Sequence, residues 1–148
     1  FNLYVKDYVR HRYISVRQFD NWVRLFLRQP TEQCGMMGHC SHQFVSESNG
    51  NIYPCDFYCT DEYLLGNITE KDFTELATCK TAKDFICESI EVPQRCKTCR
   101  LYPICRAGGC KRTQLSEDYC EAYKKFFTAC LPLFRVFMSE KPPQNGAQ

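Results

Sequence analysis

The chain has 148 residues, with 19 Lys+Arg against 17 Asp+Glu and a net charge of +2. That is the length of about one domain, and its charge balance points away from nucleic acid and membrane surfaces as partners. A hydrophobic fraction of 44% suits a packed core rather than a disordered chain, and the unusual number is the 12 Cys, which calls for disulfides or metal ligands.

In chain order, the opening residues Phe1 to Asp7 lack a basic region followed by an apolar core, so no secretory signal is read there. With no initiator Met and an aromatic, basic opening, the chain reads as the C-terminal part of a longer protein. Phe19, Trp22, Val23, Phe26 and Leu27 then recur at helical spacing, which predicts an amphipathic helix ended by Pro30. Residues 43–47 and 52–55 flank Asn49-Gly50, a pair suited to a tight hairpin turn. Centring the turn on that pair places Phe44 opposite Cys55. Residues 69–90 read as short helices, with Asp72 and Glu75 as a capping box and Thr81 as a second cap. Residues 91–115 carry no sustained period and read as a supported loop. Ser116 is expected to cap a helix through Tyr119, Tyr123, Phe126, Phe127 and Cys130, kinked or ended by Pro132. The stretch from Ala129 to Met138, ten residues carrying Arg135, is too short for a membrane span of about twenty. The polar tail, residues 140–148, is expected to be disordered.

The cysteines fall into groups: Cys34-x5-Cys40 followed by Cys55, then Cys96-x2-Cys99-x5-Cys105-x4-Cys110 with Cys120 beyond. Three readings remain open on spacing. Disulfides fit the even count and the sequon Asn67-Ile68-Thr69. Structural zinc fits the half-site Cys96-x2-Cys99. Iron–sulfur clusters fit irregular spacing, because neighbouring thiolates can serve different clusters.

Several segments together carry a resemblance. These are Ile14-Ser15-Val16-Arg17-Gln18-Phe19-Asp20-Asn21, Cys34-Gly35-Met36-Met37-Gly38-His39-Cys40, Tyr53-Pro54-Cys55-Asp56 after Asn49-Gly50, Leu65-Gly66-Asn67-Ile68, the run from Cys96 to Cys110, and Tyr119-Cys120-Glu121-Ala122-Tyr123. The chain resembles the C-terminal half of the anaerobic sulfatase-maturating enzymes, radical S-adenosylmethionine proteins that end in a SPASM domain. Other peptide-modifying radical enzymes share the second cysteine run and remain an alternative.

The resemblance implies an α+β fold: a small cysteine-rich domain with a β-hairpin, short helices and loops organised around two [4Fe–4S] clusters, with an amphipathic helix before it and a C-terminal helix after it. Residues 1–30 would be the end of the radical barrel and its linker helix, 31–139 the SPASM domain, and 140–148 a tail. By position, Cys34, Cys40, Cys55 and Cys110 would hold one cluster, and Cys96, Cys99, Cys105 and Cys120 the other. The family has three residues between the last two cysteines of the run and this chain has four, a difference that Gly108-Gly109 is expected to absorb. Cys59, Cys79, Cys87 and Cys130 match no ligand, and His39 and His42 are given structural or supporting roles.

The implied reaction oxidises a Cys or Ser of a sulfatase to formylglycine. A 5′-deoxyadenosyl radical takes a hydrogen atom from the target Cβ, a base takes a proton, and a cluster takes an electron. Asp56 matches the family's proposed base. S-adenosylmethionine and a third [4Fe–4S] cluster belong upstream: Cys55-x3-Cys59 has Glu62 where a radical-generating motif needs its third Cys. The chain alone is therefore not expected to be active. The implied partners are an unfolded sulfatase peptide and a flavodoxin or ferredoxin reductant, for a monomer in the reducing cytoplasm.

Overall fold

A computed structural model describes residues 1–110 and 117–139. Two helices open the chain, α1 (Asn2–Val9) and α2 (Arg17–Phe26). A three-stranded antiparallel sheet follows, with β1 (Val45–Ser46), β2 (Asn51–Tyr53) and β3 (Gly66–Asn67) in that order. Then come α3 (Phe73–Thr78), α4 (Lys80–Ile90), α5 (Gln94–Lys97) and α6 (Tyr102–Cys105). The long α7 (Glu117–Phe134) and α8 (Val136–Ser139) close the described fold. This is the α+β class expected.

Helix α2 forms where the apolar period predicts it, and its apolar face is covered. Trp22, Val23 and Leu25 are buried. The Trp22 ring meets Phe126 of α7 with centroids 4.6 Å apart and Phe127 edge-on at 5.2 Å. Helix α1 went unread in the sequence. It buries Tyr4, Val5 and Tyr8, with the Tyr8 ring 4.6 Å from that of Phe137 of α8 and tilted 58° to it. Asp20, in the first turn of α2, ties these pieces together by accepting from the Tyr4 and Tyr13 hydroxyls at 2.7 Å each. Burial and that carboxylate hold the Tyr4 phenol well above its ordinary pKa. This aromatic core joins the two ends of the described chain.

A second, smaller core lies under the sheet, where Ile52, Leu65, Leu76 and Ala82 are buried. Helix α3 starts at the predicted capping box: Asp72 accepts from the Glu75 N–H at 2.8 Å, and Glu75 accepts from the Asp72 N–H at 3.0 Å. Helix α4 departs from expectation. Its cap is the Cys79 thiol, which accepts from the Ala82 N–H at 3.4 Å, so the helix begins ahead of Thr81.

The hairpin register also differs by one residue. Val45 pairs with Tyr53 and Ser46 with Ile52, which leaves a three-residue loop, Ser48-Asn49-Gly50. The Gly50 N–H donates to the Glu47 carbonyl at 3.0 Å, and Gly50 takes the positive φ of +85°. A tight turn followed by one left-handed glycine closes a hairpin as well as a two-residue turn does. Beyond Val45 the Gln43 N–H donates to the Pro54 carbonyl at 2.7 Å and Phe44 takes φ +51°, so Phe44 is not paired with Cys55. The Asn67 side-chain amide donates into this hairpin, to the Asn49 carbonyl at 2.9 Å and the Asn51 Oδ1 at 3.1 Å. That engagement occupies the nitrogen a glycan would need.

Pro132 does not end α7, which runs on to Phe134 before breaking at Arg135. Proline removes a donor to the preceding turn and crowds that turn's carbonyl, a cost offset here by Phe127 and Phe134, both fully buried on this helix. The Ser116 cap and the tail lie outside the described residues. Among the described residues, no helix is long and apolar enough to cross a membrane.

Candidate metal centre

The two cysteine groups are built differently. Cys96 lies in α5, Cys99 just beyond it, Cys105 at the end of α6 and Cys120 in α7. Helical turns 94–97 and 102–105 bend the run so that its thiols face one helix. All four line a single small cavity of about 50 Å³ with Tyr102 and Tyr123. Burial pushes the Cys105 and Cys96 thiols up, and the neighbouring thiols push them further. Four such groups deprotonated together would repel one another unless a cation sat among them.

The first group is held by backbone contacts. Asn21, buried in α2, accepts from the Glu32 and Gln33 N–H groups at 2.8 and 3.1 Å, which fixes the chain entering Cys34. The Cys40 N–H donates to the buried Ser89 hydroxyl of α4 at 2.8 Å. Nearby, His42 Nε2 meets the Ala82 carbonyl at 3.1 Å, a structural role, while His39 is exposed. Arg106 to Gly109 carry φ values of +52°, +57°, +91° and +92° in turn. This run of positive φ turns the chain back before Cys110. Gly109 then lies so close to the Cys34 loop that a Cβ there would fall 2.1 Å from the Gly35 carbonyl oxygen. Only glycine permits that approach.

Cys55 follows β2 and feels Cys110. Burial raises its thiol pKa first, and Asp56 and Cys110 add to that. Cys110 thus lies near enough to Cys55 to be felt electrostatically, and the loop bearing Cys34 packs on the segment ending at Cys110 through Gly109. The four are not gathered in one cavity. Cys34 is exposed, and Cys110 lines a space of about 140 Å³ with Gly35, Met36 and Cys105.

Asp56 opens a helical turn over residues 56–58 and is exposed, with Oδ1 3.2 Å from the Cys55 sulfur that donates to it. Among the remaining thiols, Cys59 donates to the Cys55 carbonyl at 3.6 Å, Cys79 caps α4, and Cys130 packs beside the aromatic core. Cys87 is exposed. No two of the 12 cysteines are joined as a disulfide. Among the described residues, no three Cys, His, Asp or Glu side chains converge closely enough for a single metal ion. Cys96, Cys99, Cys105 and Cys120 line one cavity but stand too far apart for a single ion, a spacing that fits a thiolate-bound cluster better than one tetrahedral zinc.

Residues 34–100 match the SPASM family, described as an iron–sulfur cluster-binding domain. This chain carries a SPASM domain. A cysteine-type anaerobic sulfatase-maturating enzyme of Clostridium novyi is 41% identical over 135 residues, covering 86% of this chain and 36% of that protein. Its counterpart from Clostridium perfringens is 37% identical, covering 89% and 38%. A serine-type enzyme of Bacteroides thetaiotaomicron is 26% identical, covering 98% and 38%. Among solved structures, native anSMEcpe with bound AdoMet superposes with a TM-score of 0.84 at 35% identity, covering 95% of this chain and 40% of that one. The same protein with AdoMet and the Cp18Cys peptide gives 0.81 at 35% identity, covering 91% and 40%. This chain therefore spans well under half the length of these relatives. The SPASM match begins at Cys34 and stops at Arg100, inside the second cysteine run.

The sequence reading did not anticipate the roles of Asn21 and Ser89 or the close approach of Gly109 to Gly35. The first two carry a faint signal, as polar residues on helical faces that are otherwise apolar. Gly109 carries none until its neighbour in space is known.

Proposed function

We propose that this SPASM domain holds two [4Fe–4S] clusters in an enzyme that oxidises a sulfatase Cys or Ser to formylglycine, and that it receives the substrate's electron. The single observation that carries the reading is the convergence of Cys96, Cys99, Cys105 and Cys120 on one cavity, in a chain related to sulfatase-maturating enzymes. Cys34, Cys40, Cys55 and Cys110 would hold the other cluster, a set supported by the Gly109–Gly35 contact and by the electrostatic proximity of Cys110 to Cys55. When bound, such clusters supply one-electron acceptors whose potential depends on charge, hydrogen bonding and burial.

The chain's own residues do the rest. Helices α5, α6 and α7 hold thiolates in fixed positions, and Tyr102 and Tyr123 wall the cavity. Asp56 is the proton acceptor for the substrate thiol or hydroxyl. Its carboxylate is exposed, and its contact with the Cys55 thiol lapses once that sulfur is a metal-bound thiolate. S-adenosylmethionine, a third cluster and the barrel belong to sequence outside this chain, with residues 1–30 as the barrel's end. A flavodoxin or ferredoxin serves as reductant, and the protein works as a monomer in a reducing cytoplasm. A cysteine substrate is favoured over serine, because the cysteine-type relatives share 36 to 41% identity and the serine-type 24 to 26%.

The test uses the full-length protein with sulfatase peptides bearing Cys or Ser, read for formylglycine by mass spectrometry. The Cys peptide is expected to be converted. Asp56→Asn is expected to lower the rate by about 100-fold or more with iron content intact. Turnover unchanged by Asp56→Asn would remove Asp56 from the role, and conversion of neither peptide would overturn the function.

A further inference from the structure

Arg106 stands between the two cysteine groups, directly after Cys105 and four residues before Cys110. Its backbone is left-handed, with φ of +52°, a conformation an arginine adopts only when its surroundings impose it. Its Nε is fully buried and has no hydrogen-bond partner among the described residues. A buried guanidinium N–H without an acceptor is costly, and native structures seldom leave one. The stem shows where the side chain lies. It crosses the Cys34–Cys40 loop, with Cβ and Cδ 3.0 and 3.3 Å from the position a Cβ on Gly38 would take. Ala107 and Gly108 line the cavity of the second cysteine group, and Arg106 does not. The packing of its stem on Gly38 sets the side chain beside the Cys34–Cys40 loop of the first group.

We propose that Arg106 is the cationic donor to the iron–sulfur centre held by Cys34, Cys40, Cys55 and Cys110, and that it raises the reduction potential of that centre. The inference rests on the reading that those four thiolates carry a cluster. Such a centre is anionic and grows more so on reduction. A positive charge and an N–H aimed at its sulfurs favour the reduced form. The same contact supplies the acceptor that Nε lacks among protein groups.

The experiment reconstitutes the full-length protein anaerobically with iron and sulfide, as wild type, Arg106→Gln and Arg106→Lys. Each cluster is followed by electron paramagnetic resonance during a redox titration, and its signal is assigned with Cys34→Ala and Cys96→Ala. In Arg106→Gln the first centre is expected to shift to a more negative potential while the second stays in place. Arg106→Lys keeps the charge but lacks a donor at the Nε position, and is expected to shift less. A variant that loses only the signal missing from Cys34→Ala also supports the proposal. Potentials unmoved in both fully loaded variants would overturn it. So would a shift confined to the second centre, or joint loss of both clusters, which would assign Arg106 to the scaffold. Wild-type protein without iron and sulfide would instead defeat the functional reading itself.

Discussion

Gly109→Ala should separate the two candidate centres. A methyl group at position 109 would fall 2.1 Å from the Gly35 carbonyl oxygen and 2.8 Å from the Met36 Cα, both backbone atoms that cannot rotate away. The residue also holds φ +92° and ψ −65°. Placing an L-residue at positive φ costs about 1–2 kcal/mol, and forcing an extra carbon into a packed contact costs about 1–3 kcal/mol. Together these give a destabilisation of about 2–5 kcal/mol, a large part of a typical 5–15 kcal/mol. Gly35→Ala is the control across the same contact. There the added carbon meets only the end of the Gln33 side chain, at 3.8 Å, and the expected change is within about 1 kcal/mol. Urea unfolding of the metal-free protein under reductant measures both, and iron analysis after reconstitution shows which centre fails. Gly109→Ala is expected to lose the iron of the Cys34 group and keep that of Cys96, Cys99, Cys105 and Cys120. Wild-type stability with full iron in Gly109→Ala would refute the contact as the link between the segments.

Two further outcomes follow from the same geometry. Asn21→Leu leaves the Glu32 and Gln33 N–H groups without their acceptor and removes a donor to the Arg17 carbonyl. A loss of about 2–4 kcal/mol is expected in urea unfolding, and a loss under about 1 kcal/mol would mean that water replaces the amide. The second outcome concerns pH. Burial raises the Cys55, Cys96 and Cys105 thiols above their unfolded value. Their protonated forms therefore favour the metal-free fold, a contribution present below the ordinary thiol pKa and lost as pH rises through the raised one. Melting temperature of the metal-free protein is expected to fall between about pH 8 and 10, and iron uptake to improve over the same range. A flat profile in both would contradict the burial of these thiols.

Much of this was legible in the sequence where one residue type carries one strong physical preference. The apolar spacing of Phe19, Trp22 and Val23 located α2, and the Asp72–Glu75 pair located the start of α3. The spacing of Cys96, Cys99 and Cys105 left disulfides, zinc and clusters open, and the fold brings these three to one cavity with Cys120. What stayed hidden depends on competition or on distance. Asn49-Gly50 is compatible with a two- or three-residue loop, and the pairing of β2 with β3 selects the longer. Cys79 is a weak acceptor, so its capping of α4 could not be preferred over Thr81. Helix α1 is eight residues long, too short for a clear period, and is held by aromatic contacts with α7 and α8. The approach of Cys110 to Cys55 needs a run of positive φ, Arg106 to Gly109, of which only the glycines advertise that conformation.

The most direct test of the account is the metal itself. The protein, reconstituted anaerobically with iron and sulfide, is assayed for both elements and its absorption spectrum is recorded. About eight iron and eight sulfide per chain beyond any carried by a separate radical-generating site, with a broad charge-transfer band near roughly 400 nm, are expected from two four-iron clusters. Substituting Cys96 and Cys99 together should remove half of that content. Zinc bound without sulfide, with no visible absorption, would contradict the central claim and make this cysteine-rich domain a structural module.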